Sequence, residues 1–444
     1  MLLRSQIAYQ IGRLTAWTLT NFTNGGSSLP GQIAKSIDPN ILENLSQHYD
    51  VAIITGTNGK TLTTSLATRA IKQKYAHVIT NDSGSNMVQG IISTFLNAPQ
   101  PTKDKRGIAI LEVDEGSLKN IVPFVHPKVF VHTNLFEDQL DRYGSLEAVY
   151  NKLIEAANMA PEATIITNAD CPILQSKDTR NPKIYFGFNR NYTSPETQKD
   201  NSGISSCPNC DSPLSYHMRT YGDLGDYFCE TSFFKRPDLN HEINSIELLD
   251  LDRSEFIIDH HLFELPIAGI YNIYNALAAY SLAKFFDVSY EDINQAFKMT
   301  ERVFGRQEKF QVQDQQVLMN LVKNPVGFDQ VTKIISLDSE PFELYAFINN
   351  NYADGTDPSW IYDADFEIFK DMNVENIYVA GSVKEDLVNR FLKAGFSSEN
   401  IHVLDSLEVA LSSIETTKTH NIHILASYTA TLAFRKLLKD KKYI

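Results

Sequence analysis

The apolar positions of the chain switch between two periods. Val51-Ala-Ile-Ile-Thr55 is a short continuous apolar run, the pattern of a strand buried on both faces, and a helix is predicted from Thr61 to about Lys74. Further strands are predicted at His77 to Thr80, Gly107 to Val113, Val129 to Thr133, Thr164 to Thr167 and Lys183 to Phe186, with helices near Met87 to Phe95 and Leu146 to Met159. Strands alternating with helices predict an α/β fold with a mostly parallel sheet. From about Asn189 the periodicity fails, and a polar, turn-rich stretch to Asn240 reads as an insert. Regular structure is predicted again as a hairpin over Ser254 to Leu265 and a helix over Asn272 to Phe286. After a linker near Arg302 to Glu308, a second α/β pattern places strands at Val317 to Leu321, Leu344 to Ile348, Ile377 to Ala380 and Ile422 to Leu425. The predicted organisation is an N-terminal segment (1–50), a central α/β domain (51–304) with an insert at about 203–240, and a C-terminal α/β domain (305–444).

Charge and composition narrow the classes. The 444 residues carry 40 Lys and Arg against 54 Asp and Glu, a net charge of -14, which argues against a nucleic-acid-coating protein. Apolar residues at 43% and charged residues at 21% are globular values and argue against disorder or coiled coil. No apolar run approaches the roughly 20 residues that a membrane-spanning helix needs. The N-terminus is unusual, because no acidic residue occurs before Asp38 while Arg4 and Arg13 sit among apolar residues at helical spacing. A transit peptide shares this composition, but Gln6, Gln10 and Arg13 interrupt the apolar stretch, and it leads directly toward a core strand. The expectation is a docked amphipathic helix, with peripheral contact at the inner face of the plasma membrane as the second reading.

Gly56-Thr57-Asn58-Gly59-Lys60-Thr61 lies at a strand-to-helix turn, where free backbone N–H groups and the helix dipole favour a phosphate. Glycine lets the backbone approach the ligand, Lys60 offers a cation to the β- and γ-phosphates, and the Thr61 hydroxyl can ligate Mg²⁺. These residues predict nucleotide binding.

Four cysteines make no disulfide framework, and three of them cluster as Cys207-Pro-Asn-Cys210 and Cys229, 18 residues apart. That is zinc-ribbon spacing and fits a reducing cytosol. The fourth position of the second knuckle is Ser232, a weak zinc ligand, so His217 and His241 are alternative fourth ligands, and a ribbon that has lost its metal is a further alternative.

Gly-Thr-Asn-Gly-Lys-Thr resembles the short phosphate loop of the Mur ligases and folylpolyglutamate synthases, which are ATP-dependent carboxylate–amine ligases. Leu111-Glu112-Val113 resembles their strand-end glutamate, a Mg²⁺ ligand, and Thr133-Asn134-Leu-Phe-Glu-Asp-Gln139-Leu-Asp141 resembles a second conserved segment. Gln139 stands where many relatives place a histidine for a second metal; an amide oxygen can still ligate Mg²⁺ directly or through water. Asn272 resembles the asparagine that meets the nucleotide, and Arg306 the phosphate-binding arginine.

Together with the ribbon, Gly25-Gly-Ser-Ser-Leu-Pro-Gly31, Lys235-Arg236-Pro-Asp238, the Asn324-Pro segment and Tyr352-Ala-Asp354-Gly-Thr-Asp357-Pro-Ser-Trp360 resemble the MurT family. Members are ligase subunits that amidate the D-glutamate of lipid II, the lipid-linked cell-wall precursor. The resemblance implies a C–N ligase of peptidoglycan synthesis that uses ATP and Mg²⁺ through an acyl phosphate and forms a heterodimer with a GatD-like glutaminase. It also implies that an aspartate of this last loop, Asp354 first and Asp357 second, orients the partner's catalytic histidine. Glutamine hydrolysis needs an activated nucleophile, and none of the four cysteines suits, which is consistent with a second subunit. Two alternatives are a ligase adding an amino acid to a folate or a UDP-linked muropeptide, and a catalytically weak ATP-binding scaffold.

Overall fold

The computed structural model describes residues 3–22, 28–81, 85–99, 101, 106–136, 145–194, 206–300 and 307–444. Its strands in chain order are β1 (Tyr49–Thr55), β2 (Val78–Thr80), β3 (Gly107–Glu112), β4 (Val129–His132), β5 (Thr164–Asn168), β6 (Lys183–Thr193), β7 (Ser215–Arg219), β8 (Gly225–Phe228), β9 (His241–Leu249), β10 (Ser254–Ile258), β11 (His261–Leu265), β12 (Glu308–Val312), β13 (Gln315–Leu321), β14 (Phe342–Phe347), β15 (Val374–Ala380), β16 (Ile401–Val403) and β17 (Asn421–Ala426).

The first sheet has the order β11-β10-β9-β6-β5-β4-β1-β3-β2. It is parallel from β2 to β9 and closes with an antiparallel β9-β10-β11 meander. Val51 to Ile54 are fully buried because helices cover both faces, which is why β1 reads as an unbroken apolar run. β1 lies between β3 and β4, so the connection leaving it goes to one side and the chain later returns on the other. Such a reversal opens a crevice at the carboxyl ends of the strands, where ligands bind in open α/β sheets. The helix Ile270–Phe285 is apolar nearly all round and buried accordingly, packed on the helix Lys60–Lys74.

The second sheet, β12-β13-β17-β14-β15-β16, is parallel except for the β12-β13 hairpin. One face packs Phe328, Phe342, Phe366 and Phe391, the other Tyr345, Phe347 and Phe434.

The predicted strands appear with boundaries shifted by a few residues, and β6 runs on to Thr193. Several described strands lie where none is expected, among them the short β16. β9 and the small β7-β8 sheet occupy what reads as an irregular insert and its flank, because their polar residues alternate over half-exposed surfaces. β12 occupies the end of the expected linker, as an edge strand of alternating burial. The N-terminal helix Leu3–Phe22 does dock, against the helices Leu29–Ile37 and Val88–Asn97. Close approach of the helices Leu29–Ile37 and Val88–Asn97 to each other depends on Gly31, whose N–H reaches Ser93 Oγ at 2.9 Å and where a Cβ would sit 1.9 Å from the Gln89 carbonyl oxygen.

Candidate nucleotide and ligase site

The turn after β1 carries the phosphate loop to the sheet's crevice. Gly59 adopts φ +84 at the N-cap of the helix Lys60–Lys74, and a Cβ there would fall 1.9 Å from Asn275 Oδ1, so both conformation and space require glycine. The loop is shaped from outside by the segment after β4. Asn134 Oδ1 accepts from Asn58 N at 2.9 Å, Asn134 O from Thr57 N at 2.8 Å, and Thr133 Oγ1 donates to Asn58 O at 2.8 Å. These bonds fix the shape of the loop.

Lys60 Nζ donates to Gly56 O and, at 3.1 Å, to Glu115 Oε1. Burial alone would lower the Lys60 pKa, but Glu115, Glu112 and Asp114 outweigh it and hold the ammonium charged. Thr61 Oγ1 lies 3.2 Å from Glu112 Oε1, and the Glu112 backbone is clamped by Asn81, whose amide accepts from its N–H at 2.9 Å and donates to its carbonyl at 3.0 Å. A hydroxyl and a carboxylate converging beside a phosphate loop are the hard oxygen donors that suit Mg²⁺.

Asn272 and Asn275 are buried on the first turns of the helix Ile270–Phe285; Asn272 Nδ2 donates to Ala268 O at 2.6 Å, and Asn275 O accepts from Thr63. Asn324 caps the helix Pro325–Ile335, accepting from Gly327 N at 2.8 Å, and its Nδ2 stands 3.5 Å from Asn58 Oδ1 of the phosphate loop. Residues from both sheets therefore border one cleft, lined in part by Asn58, Tyr221, Tyr271, Asn320, Lys323 and Gln330. Asn320 Nδ2 is buried there with no hydrogen-bond acceptor among the described residues, a donor position that a polar ligand could fill.

The structure thus brings together Gly56, Thr57, Asn58, Gly59, Lys60, Thr61, Glu112, Asn272 and Asn324. Arg306 and Gln139 lie outside the described residues. Two residues add to the expectation. Glu115 pairs with Lys60, and Gln307 places its amide against both polar groups of the Ala268 backbone, 2.8 Å from N and 2.6 Å from O. Glu115 could have been suspected from its place three residues after Glu112; Gln307 has no local signal.

In the insert, the sulfurs of Cys207, Cys210 and Cys229 lie within 4.8 Å of one another, and Ser232 Oγ is 3.3 Å from Cys207 Sγ. Hydrogen bonding to Ser232 pulls the Cys229 thiol down to about 6, while burial pushes Cys207 up. His217 and His241 are not part of the cluster: His217 stacks on Phe228, and His241 Nδ1 is 2.7 Å from Asp259. Ser232 keeps the fourth place of the ribbon as a hydroxyl.

Arg236 ties this insert to the sheet. It donates to Asp170 Oδ1 at 2.6 Å and Phe188 O at 2.7 Å, and the fully buried Asp170 also accepts from Tyr274 OH at 2.6 Å and Phe188 N at 2.8 Å. Arg236→Ala would leave a buried carboxylate without its cation, and a loss of about 3–5 kcal/mol is expected in denaturant unfolding. A change under about 1 kcal/mol would contradict that account of the anchor.

The loop after β14 holds both aspartates. Asp354 is buried, accepting from Thr429 N at 2.7 Å, Thr429 Oγ1 at 2.5 Å and Asn351 N at 3.2 Å. Asp357 is exposed and accepts from Ser359 N at 2.9 Å. Tyr352, in the same loop, is 86% exposed.

Comparison with known proteins decides the family. The chain is 40% identical over 444 residues, all of its own length and 99% of the other's, to the MurT subunit of lipid II isoglutaminyl synthase (glutamine-hydrolyzing) from Streptococcus pneumoniae. The chain belongs to the MurT family. The MurT subunit from Staphylococcus aureus is 34% identical over 368 residues, 82% of each chain. The model of the Mur ligase middle domain matches residues 54–283, and that of the MurT ligase C-terminal domain residues 321–431. Among solved structures, a pseudomurein peptide ligase type C from Methanothermus fervidus superposes with a TM-score of 0.67 at 19% identity, covering 91% of this chain and 81% of that one, which shows a shared Mur-ligase fold. The middle-domain match spans both the phosphate loop and the cysteine insert, and the C-terminal match spans the Asp354 loop.

Proposed function

We propose that this protein is the synthetase subunit of a lipid II isoglutaminyl synthase: it activates the α-carboxyl of the lipid II D-glutamate with ATP and converts it to the amide of D-isoglutamine. The observation that carries this reading is the full-length relation to a MurT subunit, joined to an intact phosphate loop in which Lys60 pairs with Glu115 and Thr61 meets Glu112. A carboxylate is a poor electrophile. Transfer of the γ-phosphoryl group to it gives an acyl phosphate and ADP; ammonia then attacks the acyl carbon, and phosphate leaves as the amide forms.

In this scheme the backbone of Gly56 to Thr61 cradles the phosphates, Lys60 neutralises charge on the transferred group, and Asn272, Arg306 and Asn324 hold the nucleotide from the cleft walls. Mg²⁺ bound by Thr61 and Glu112 would supply further neutralisation of the phosphates. A GatD-like glutaminase is the ammonia source, docking at the loop that exposes Tyr352, an aromatic of the kind that anchors interfaces. Asp354 is the first choice to orient its catalytic histidine. Three donors fix the carboxylate, leaving one of its roughly four acceptor sites, and the backbone beside it is open, since a Cβ on Gly355 would meet nothing within 4 Å. Asp357, on the loop surface, is second.

Zinc at Cys207, Cys210, Cys229 and Ser232 is a structural role within the same proposal. Ser232→Cys should raise zinc affinity at least tenfold in a competition titration with a chromophoric chelator; equal affinity would argue against Ser232 as the fourth ligand.

Acceptor identity is tested by ADP release from the complex with its partner, supplied with lipid II, with a UDP-muropeptide plus an amino acid, or with a folate plus glutamate. Stimulation by lipid II alone is the expected result. Stimulation by either of the others, with amino-acid addition, would replace the reading.

A further inference from the structure

The helix Leu3–Phe22 is built with its small residues inward. Ser5, Ala8, Gly12 and Ala16 are buried, and at Gly12 a Cβ would lie 2.7 Å from Leu96 Cδ1 and 3.2 Å from Ala34 Cβ. Its large apolar residues point the other way. Leu3, Ile7, Ile11, Leu14 and Trp17 recur at helical spacing and are 73%, 46%, 40%, 62% and 58% exposed. At about 100° per residue the two sets fall on opposite sides of the helix, so this is an amphipathic helix docked by its small-residue face. An apolar stripe about four turns long is left at the surface.

Charge selects among possible occupants of that stripe. Arg4 and Arg13 are exposed and fall on its two edges, and Lys35 follows on the next helix, while no acidic residue precedes Asp38. Arg13 stays over the ring of Tyr9, bonding its hydroxyl at 3.0 Å, and Arg4 Nε reaches Ile37 O at 2.5 Å. In a chain of net charge -14, this helix therefore carries arginines and no acidic side chain, and it is the helix that carries the apolar stripe. An apolar face bordered by arginines is the arrangement of a helix lying in the headgroup region of an anionic bilayer, with the guanidinium groups kept at the phosphate level. No described helix is long and apolar enough to cross a membrane, which agrees with surface contact by this helix.

We propose that the outward face of Leu3–Phe22 binds the surface of an anionic phospholipid membrane, through Leu3, Ile7, Ile11, Leu14 and Trp17, with Arg4 and Arg13 at the lipid phosphates. The biological sense of this rests on lipid II as the acceptor, because that substrate is held in the bilayer by its lipid. Docking there confines the enzyme to the plane in which its substrate diffuses.

The test is vesicle flotation of the full chain with its partner subunit, using vesicles of phosphatidylglycerol and phosphatidylcholine against phosphatidylcholine alone. The wild type should float with the anionic vesicles only, and Ile7→Gln/Leu14→Gln should weaken binding at least tenfold. In a Trp360→Phe background Trp17 is the remaining tryptophan, and its emission should shift to the blue on adding anionic vesicles. Absence of flotation, binding unchanged in the double variant, or a self-association that the double variant abolishes in gel filtration would each overturn the proposal, the last by making a second copy the occupant. Amidation of lipid II dispersed in detergent separates this from the functional reading. The double variant should retain it, whereas a wild type inactive on dispersed lipid II would count against the acceptor assignment regardless of vesicle binding.

Discussion

Lys60→Ala is expected to lower kcat for ATP-dependent amidation by about 10³-fold, some 4 kcal/mol of transition-state stabilisation. The ammonium is held at the mouth of the phosphate loop by Gly56 O and Glu115, and three neighbouring carboxylates keep it charged despite burial. Phosphoryl transfer leaves little covalent work to the protein, so positioned charge is the main contribution such a residue can make. ATP binding should weaken less than turnover, since the backbone donors of the loop remain. Single-turnover kinetics with labelled ATP checks this, and a rise in KM with unchanged kcat would mean that Lys60 contributes only uniform binding.

Asp354→Asn is expected to remove glutamine-dependent amidation, by about 10³- to 10⁴-fold, while amidation from added ammonium survives. An amide in place of the carboxylate gives up the charge that would stabilise a protonated histidine across the subunit interface. It also turns an NH2 donor toward one of the two N–H groups that now donate to the carboxylate, Thr429 N on Oδ1 or Asn351 N on Oδ2. A purely structural role would depress both nitrogen sources together, so their ratio is the informative readout. The same assay on Asp357→Asn separates the two aspartates: loss of glutamine use there, with Asp354→Asn unaffected, would reverse the assignment.

The parts of the site legible in the sequence are those whose chemistry is local. A strand, a glycine turn and a helix place Gly56 to Thr61 whatever surrounds them, and Glu112 ends a strand recognisable by its apolar run. Glu115 was not legible as the partner of Lys60, because the pairing depends on β3 lying beside β1, which periodicity does not specify. Gln307 acts through the backbone of Ala268, 39 residues away, and no spacing rule announces such a contact. In the ribbon, knuckle spacing located the thiols, but only the fold excludes His217 and His241, each engaged by its own neighbour. The N-terminal helix shows the limit of periodicity most clearly. Its apolar residues predict an amphipathic helix, yet which face turns inward was decided by shape, since Ser5, Ala8 and Gly12 allow the close packing that Leu3 or Leu14 would prevent.

The central claim, that this chain makes the amide bond and receives its ammonia from another subunit, is tested most directly by following lipid II amidation with and without a GatD-like glutaminase, supplied with either glutamine or excess ammonium. The account predicts product from ammonium with this chain alone, and product from glutamine only when the partner is present. No product from ammonium under either condition, in a preparation that binds ATP, would contradict it.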